Sequence, residues 1–402
     1  MIKKVLFALL AVGPGLLSGA PLKVFILSGQ SNMEGHAKIS SFDHIGMDPK
    51  TAPILKEMRN EDGTSKILDR VWISYRTGAE EMPAGVGKLT SGFGSRKDPT
   101  MDGGKIGPEF TFGIYMEKFL DEPILIIKTA WGGKSIHTDF RSPSAGPFVF
   151  GDDQLEKFKS QGKDLDEIKA AKAAETGKYY RLMMNHVKEV LKDPKKVHPG
   201  YDAKEGFELA GFVWFQGWND MVAGDVYPER GKPGGYDEYS KVLAHFIRDV
   251  RKDLNAPELP FVIGVMGAGG PTDQYGPSQR RYQGVHESFR QAMAAPAKMP
   301  EFKGTVSAVF TEKYWDPELD EVAEKKNKVN AKAKELKASG LSPAEQKEAL
   351  EKLSDETLTA RDQELLKGIT NADYHYKGSA KVMAQIGKGF AEAIDAILRQ
   401  KK

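Results

Sequence analysis

Apolar residues fall in short unbroken runs along this chain rather than in strict alternation with polar ones. The runs at residues 24–28, 71–75, 124–128, 209–215, 261–266 and 305–310 are rich in Val, Ile and Phe. Continuous hydrophobicity over so few residues predicts strands covered on both faces, as in a parallel sheet. Between the runs the period changes to that of a helix. Residues 179–191 align Leu182, Met183, His186, Val187, Val190 and Leu191 on one stripe, and residues 239–254 and 283–294 follow the same rule. A last helix is predicted over 379–398, where Val382, Met383, Ile386, Phe390, Ile394, Ile397 and Leu398 recur at helical spacing. Strand–helix alternation of this length predicts a single doubly wound α/β domain.

Two stretches break the alternation. Residues 152–177 are charged and poor in large apolar side chains, so they read as solvated helix. Residues 317–368 are dominated by Lys, Glu, Ala and Leu and read as a helical hairpin, turned near Ser339-Gly340-Leu341-Ser342-Pro343. Ser342 has the features of an N-cap, with Pro343 at the first helical position and Glu345 three residues on. Both stretches are expected to be exposed insertions in a domain spanning residues 21–402.

The chain begins with Lys3 and Lys4, an apolar run from Val5 to Val12, and small residues at Ser18-Gly19-Ala20. This is the pattern of a secretory signal peptide over residues 1–20; the run is shorter than the roughly 20 residues that span a bilayer. A secreted or periplasmic protein is expected, with no stable membrane association after cleavage. Loss of the two lysines leaves 56 basic and 56 acidic residues. No basic surplus remains to neutralise phosphates, so nucleic acid is not an expected partner, and the substrate should be neutral or weakly charged. Cysteine is absent from the chain, which excludes disulfides, thiolate metal sites and a cysteine nucleophile.

The candidate chemistry sits at strand ends. The first run leads into Gly29-Gln30-Ser31-Asn32-Met33-Glu34-Gly35, which presents Ser31 beyond a strand carboxyl end, where open α/β sheets bind ligands. Met33 stands where the Gly-x-Ser-x-Gly elbow would need its second glycine. A serine nucleophile needs a base. Of eight histidines, His375 has the most suggestive setting, Asn371-Ala372-Asp373-Tyr374-His375, in a loop before the last helix. Asp373, two residues earlier, could orient its imidazole. Donors for an oxyanion are available after two other strands, in Trp131-Gly132-Gly133-Lys134 and in Gln216-Gly217-Trp218-Asn219-Asp220.

Gly29-Gln30-Ser31-Asn32-Met33, Trp131-Gly132-Gly133, Trp214-Phe215-Gln216-Gly217 and the late Asp–His pair together resemble the SGNH hydrolases, most closely the sialate O-acetylesterase-like branch that includes carbohydrate acetylesterases. The resemblance implies a three-layer α/β/α, flavodoxin-like sandwich around a parallel sheet, working without metal or cofactor. It implies that Ser31 attacks an acetyl carbonyl while His375 takes its proton, with Asp373 as third member. The oxyanion would be held by the amides of Ser31 and of Gly132 or Gly133, with Gln216 or Asn219 adding a side-chain donor. Two departures leave alternatives open. Trp218 replaces a frequent glutamate, and Asp373 lies two rather than three residues before the histidine, which leaves another carboxylate or a backbone carbonyl as the alternative partner of His375.

Gln30, Trp131, Arg141 and Trp218 are the candidate substrate contacts. The tryptophans would stack on a sugar face or pack in the cleft wall; Arg141 would bind sugar hydroxyls or a carboxylate, or form a structural ion pair. The expected substrate is an acetylated polysaccharide or sialic acid. A lipase or thioesterase of broader specificity, or a non-catalytic carbohydrate-binding protein of this fold, are the alternatives.

Overall fold

In a computed structural model that describes residues 19–79, 82–96 and 103–400, the apolar runs assemble into one seven-stranded sheet. Its strands are β1 (Leu22–Gly29), β2 (Val71–Arg76), β3 (Gly85–Lys88), β4 (Ile124–Ala130), β5 (Phe207–Phe215), β6 (Phe261–Val265) and β7 (Val306–Phe310). They lie in the order β3-β2-β4-β1-β5-β6-β7. All pairings are parallel except that of the edge strand β3 with β2. The Gly-Val-Gly-Lys sequence of β3 carries no hydrophobic pattern, and the strand was not foreseen for that reason.

Both faces of the sheet are covered. A single turn, α1 (Ser31–Glu34), follows β1. Helices α2 (Glu109–Phe119) and α6 (Ala380–Gln400) cover one face, while α3 (Lys178–Lys192), α4 (Asp237–Asp253) and α5 (Gln283–Ala294) cover the other. Along β1 the side chains divide accordingly: Phe25 and Leu27 enter the first core, and Leu22, Val24 and Ile26 the second. Two such cores explain how a chain without cysteine is held together, since each fully buried large apolar side chain contributes roughly 1.5–3 kcal/mol.

The register positions the site. Gly29 lies opposite Ala130 on one side and Phe215 on the other, so β1, β4 and β5 end level. The segments that follow them emerge together at the carboxyl edge. There the order of strand addition reverses around β1, the usual location of a ligand crevice in such sheets.

The two unpatterned stretches are helical. Asp152–Ser160 and Leu165–Glu175 bury none of their residues. The later insertion forms helices over Pro317–Ala338, Pro343–Thr357 and Ala360–Leu366, and the Ser342–Glu345 capping box is present. Its apolar contacts gather at the root, through Leu319, Val322, Leu358 and Leu365. Residues 1–18, most of the segment read as a signal peptide, lie outside the described residues. Among the described residues no helix is long and apolar enough to cross a membrane.

Candidate active site

β1 must end in glycine: a methyl group on Gly29 would come 2.1 Å from the Phe215 carbonyl oxygen on β5. Gln30 is extended, and the chain then turns into α1, whose first residue is Ser31. Ser31 is 8 % exposed, and its backbone N–H enters no backbone hydrogen bond among the described residues. The turn is tied down from below. Lys128 of β4, fully buried, donates to the carbonyl oxygens of Glu34 and Phe93 at 2.8 Å and to the Glu109 carboxylate at 2.7 Å.

His375 is carried by the loop between the helical insertion and α6. Its Nδ1 lies 2.9 Å from Asn371 Oδ1, and the same oxygen accepts the Ala372 backbone N–H at 2.8 Å. That second bond fixes the atom as the amide oxygen, because a backbone N–H can only donate. Nδ1 must therefore carry the proton, and Nε2 keeps the lone pair a base requires. Burial, reinforced by the charge of His36, holds the imidazole pKa down to about 4, against an opposing pull from Glu34. The loop is tied to the Ser31 turn where Asn32 Nδ2 donates to the Tyr374 carbonyl at 3.1 Å.

Asp373 does not occupy the place expected of it. Its carboxylate accepts from Lys377 Nζ at 2.6 Å and is largely solvent-exposed, while the neutral Asn371 takes the position against His375. Lys377 also meets Asp320 of the insertion at 2.9 Å. These ion pairs hold Lys377 at a φ of 58°, a left-handed conformation unusual for a side chain of this size.

The segment after β4 passes close to Ser31. A methyl group on Gly132 would come 3.7 Å from Ser31 Cβ, and Gly133 has a φ of 74°. The N–H groups of Gly132 and Gly133 enter no backbone hydrogen bond among the described residues.

Gln216 and Asn219, the rival amide donors, have distinct partners. Gln216 Nε2 lies within hydrogen-bond distance of Gln30 Oε1, the Lys134 carbonyl and Asp220 Oδ2, and the side chain is buried. Its two protons are already committed. Asn219 accepts from Gln30 Nε2 through Oδ1 at 3.0 Å, which leaves Nδ2 of this half-buried side chain uncommitted among the described residues. Gln30 is a cross-link rather than an open sugar contact, since its Oε1 also accepts the Gly217 N–H at 2.9 Å and the residue is 1 % exposed. Asp220 was not singled out from the sequence. Fully buried, its carboxylate accepts the backbone N–H groups of Ile136 and His137 as well as Gln216, and so fastens the glycine segment to the end of β5.

The remaining candidates separate by burial. Trp131 is a core residue, its Nε1 donating to the Gly78 carbonyl and its ring packed on Phe140 and Tyr179. Arg141 binds the carbonyls of Gly146, Ala145 and His137 and stands 3.7 Å from Glu238, which makes it a structural group. Trp218 instead faces a cleft of about 500 Å³, its ring 5.4 Å from that of Tyr374. Tyr275, Tyr282 and Trp315 add aromatic faces to the same cleft, and Arg230 adds a cation.

Among solved structures, a protein from Arabidopsis thaliana is 16 % identical, with a TM-score of 0.38, covering 72 % of this chain and 86 % of its own. A carbohydrate acetylesterase from Xanthomonas citri is 15 % identical, with a TM-score of 0.37; the match covers 71 % of this chain and 49 % of that one. NanS is 12 % identical, with a TM-score of 0.38, over 73 % of this chain and 78 % of its own. No match is found among curated protein sequences. The family model described as carbohydrate esterase, sialic acid-specific acetylesterase, matches residues 21–307, well over half of the chain. The chain therefore belongs to the sialic acid-specific acetylesterase family of carbohydrate esterases.

Proposed function

We propose that this protein is a serine O-acetylesterase of acetylated carbohydrates, secreted through the signal peptide read at residues 1–20. The reading is carried by the protonation pattern of His375: with Nδ1–H given to Asn371 Oδ1, Nε2 is left as a base on the loop bonded to the nucleophile turn. Ser31 Oγ attacks the acetyl carbonyl carbon as His375 Nε2 takes its proton. The negative charge that forms on the carbonyl oxygen is met by the N–H groups of Ser31 and Gly132 and by Asn219 Nδ2. Collapse of this intermediate breaks the bond to the sugar oxygen, which leaves with the proton from His375, and acetyl-Ser31 remains. Water then gives its proton to His375 and attacks the acetyl group, and acetate departs as Ser31 is restored.

The aromatic lining of the neighbouring cleft supports a sugar as the alcohol half of the ester. Trp218, Tyr374, Tyr282 and Trp315 offer flat apolar faces with polar edges, the combination that a pyranose ring requires. The test is acetate release from p-nitrophenyl acetate and from acetylated xylan by the purified protein and by its Ser31→Ala and His375→Ala variants. Loss of at least about 10³-fold in both variants, with folding intact, is expected. Activity that survives Ser31→Ala would remove the serine mechanism. No turnover of any acetyl ester by the parent protein, with sugar binding retained, would favour a non-catalytic role.

A further inference from the structure

A serine hydrolase triad ordinarily places a carboxylate on Nδ1 of its histidine, where the negative charge stabilises the imidazolium formed in the transition state. Here that position is filled by the neutral amide of Asn371. An amide fixes the tautomer and the ring orientation but supplies no charge. A carboxylate stands beside the His36 ring that stacks on His375. Glu34 stands three residues after Ser31 on α1, the spacing at which helical side chains share a face. Its Oε1 accepts from Thr77 Oγ1 at 2.7 Å, and its Oε2 lies 3.8 Å from His36 Nε2. The His36 ring is stacked on His375 with centroids 3.9 Å apart and planes 6° from parallel. A methyl group on Gly132 would meet Glu34 Oε2 at 3.1 Å, so this carboxylate borders the reacting centre as well.

We infer that Glu34 is a positioning residue that supplies the counter-charge of the missing triad acid, acting on the His375 imidazolium across the stacked ring of His36. The inference rests on the serine esterase reading above. The other charged groups that face His375 are cationic or engaged elsewhere. Lys105 and a protonated His36 disfavour its imidazolium, Asp373 is held by Lys377, and Lys128 is paired with Glu109 beneath the turn. Glu34 favours the charged ring. Glu34 meets the edge of the His36 ring, whose face is stacked on His375, so its charge can act on His375 without a hydrogen bond to Nε2.

The test is the pH profile of kcat and kcat/KM on p-nitrophenyl acetate for Glu34→Gln, Asn371→Asp and the double variant, with Ser31→Ala as reference. The glutamine can still accept from Thr77, so the turn should keep its shape. Glu34→Gln is expected to lower kcat about tenfold, with KM unchanged, and to move the acidic limb to lower pH, as expected when an opposite charge near a titrating group is removed. Asn371→Asp in the same background puts a carboxylate on Nδ1 and should bring kcat back to within about threefold of the parent. A Glu34→Gln profile superimposable on the parent, or a loss that Asn371→Asp does not relieve, overturns the inference. Should Glu34→Gln fail to fold, Asn371→Asp alone decides. A gain under about threefold fits a charge already supplied by Glu34, and a gain of tenfold or more contradicts it. Activity retained in Ser31→Ala would instead mark failure of the serine reading, separately from that of Glu34.

Discussion

Ser31, Gly132 and Asn219 stand just beyond the ends of three adjacent strands and are fixed by buried polar groups, whereas His375 rides a loop whose backbone is bent out of its ordinary range. On the first side the anchors are Gln30, Gln216, Asp220 and the Lys128–Glu109 pair, each of them at most 2 % exposed. On the second, Tyr376 and Lys377 have φ values of 52° and 58°. Such residues cost on the order of 1–3 kcal/mol each and persist only where their surroundings over-determine them. The surroundings here are the Tyr376 hydroxyl, which accepts the Gly267 N–H at 2.8 Å and lies 2.6 Å from Thr311 Oγ1, and the pairing of Lys377 with Asp373 and Asp320. The difference separates two kinds of failure. Damage to the strand-end half leaves buried groups unpaired and should unfold the protein, while damage to the histidine loop should cost activity before stability.

The largest effect is expected on the strand-end side. Asp220→Ala would leave the N–H groups of Ile136 and His137 and the buried Tyr227 hydroxyl without their acceptor. Each orphaned donor costs about 1–3 kcal/mol, so a loss of at least about 3 kcal/mol is expected in urea unfolding, with kcat reduced about 100-fold or more. On the loop, Lys377→Met should lower kcat about tenfold while changing the unfolding free energy by only about 1–2 kcal/mol. Equal losses of stability in the two variants would erase the contrast.

Acid should expose the histidine side in a different way. His375, His186 and His286 are each held down to about 4 from an ordinary 6.5, chiefly by burial. Between these values the folded chain binds fewer protons than the unfolded one. The stability these groups contribute is therefore complete above pH 6.5 and lost as pH falls towards 4. Urea midpoints measured across this window should decline, and the acidic limb of kcat/KM should lie nearer pH 4 than 6.5. A limb at 6.5 would mean that the base is not the buried His375.

Two smaller effects sharpen the picture of the cleft and the loop. Trp218→Ala should raise KM for acetylated xylan by about three- to tenfold, with kcat on p-nitrophenyl acetate within about twofold, as expected from the loss of one aromatic face. Asp373→Asn should change kcat by less than about threefold, because Lys377 retains Asp320; a true triad acid would cost about 10⁴-fold.

Much of this was legible in the sequence, and the gaps have physical causes. The core strands could be read because both their faces are covered, which makes their hydrophobicity continuous. α2 was passed over because Glu109 and its apolar neighbours Phe110, Phe112 and Ile114 are all buried, so no polar face marks the helix. Ser31 and His375 stood out because strand ends and a late loop are recognisable without knowledge of packing. The partner of His375 did not, since an amide four residues earlier has no pattern of its own and the adjacent aspartate drew the assignment. Trp131 and Trp218 each stand beside a glycine just past a strand end, yet one is core and the other lines the cleft. The packing of Phe140 and of the sequence-distant Tyr179 on Trp131 separates them. The same holds for Gln216, whose amide protons are claimed by residues from three segments.

The central claim is that Ser31 is a nucleophile activated by His375, and it can be tested without knowing the natural substrate. The protein would be treated with a fluorophosphonate, which reacts with activated serine hydroxyls, and the adduct located by peptide mass spectrometry. The account predicts one adduct, on Ser31, formed in parallel with loss of esterase activity and strongly slowed in His375→Ala. Full inactivation with the adduct on another residue, or an active enzyme whose Ser31 remains unlabelled after inactivation, would contradict it.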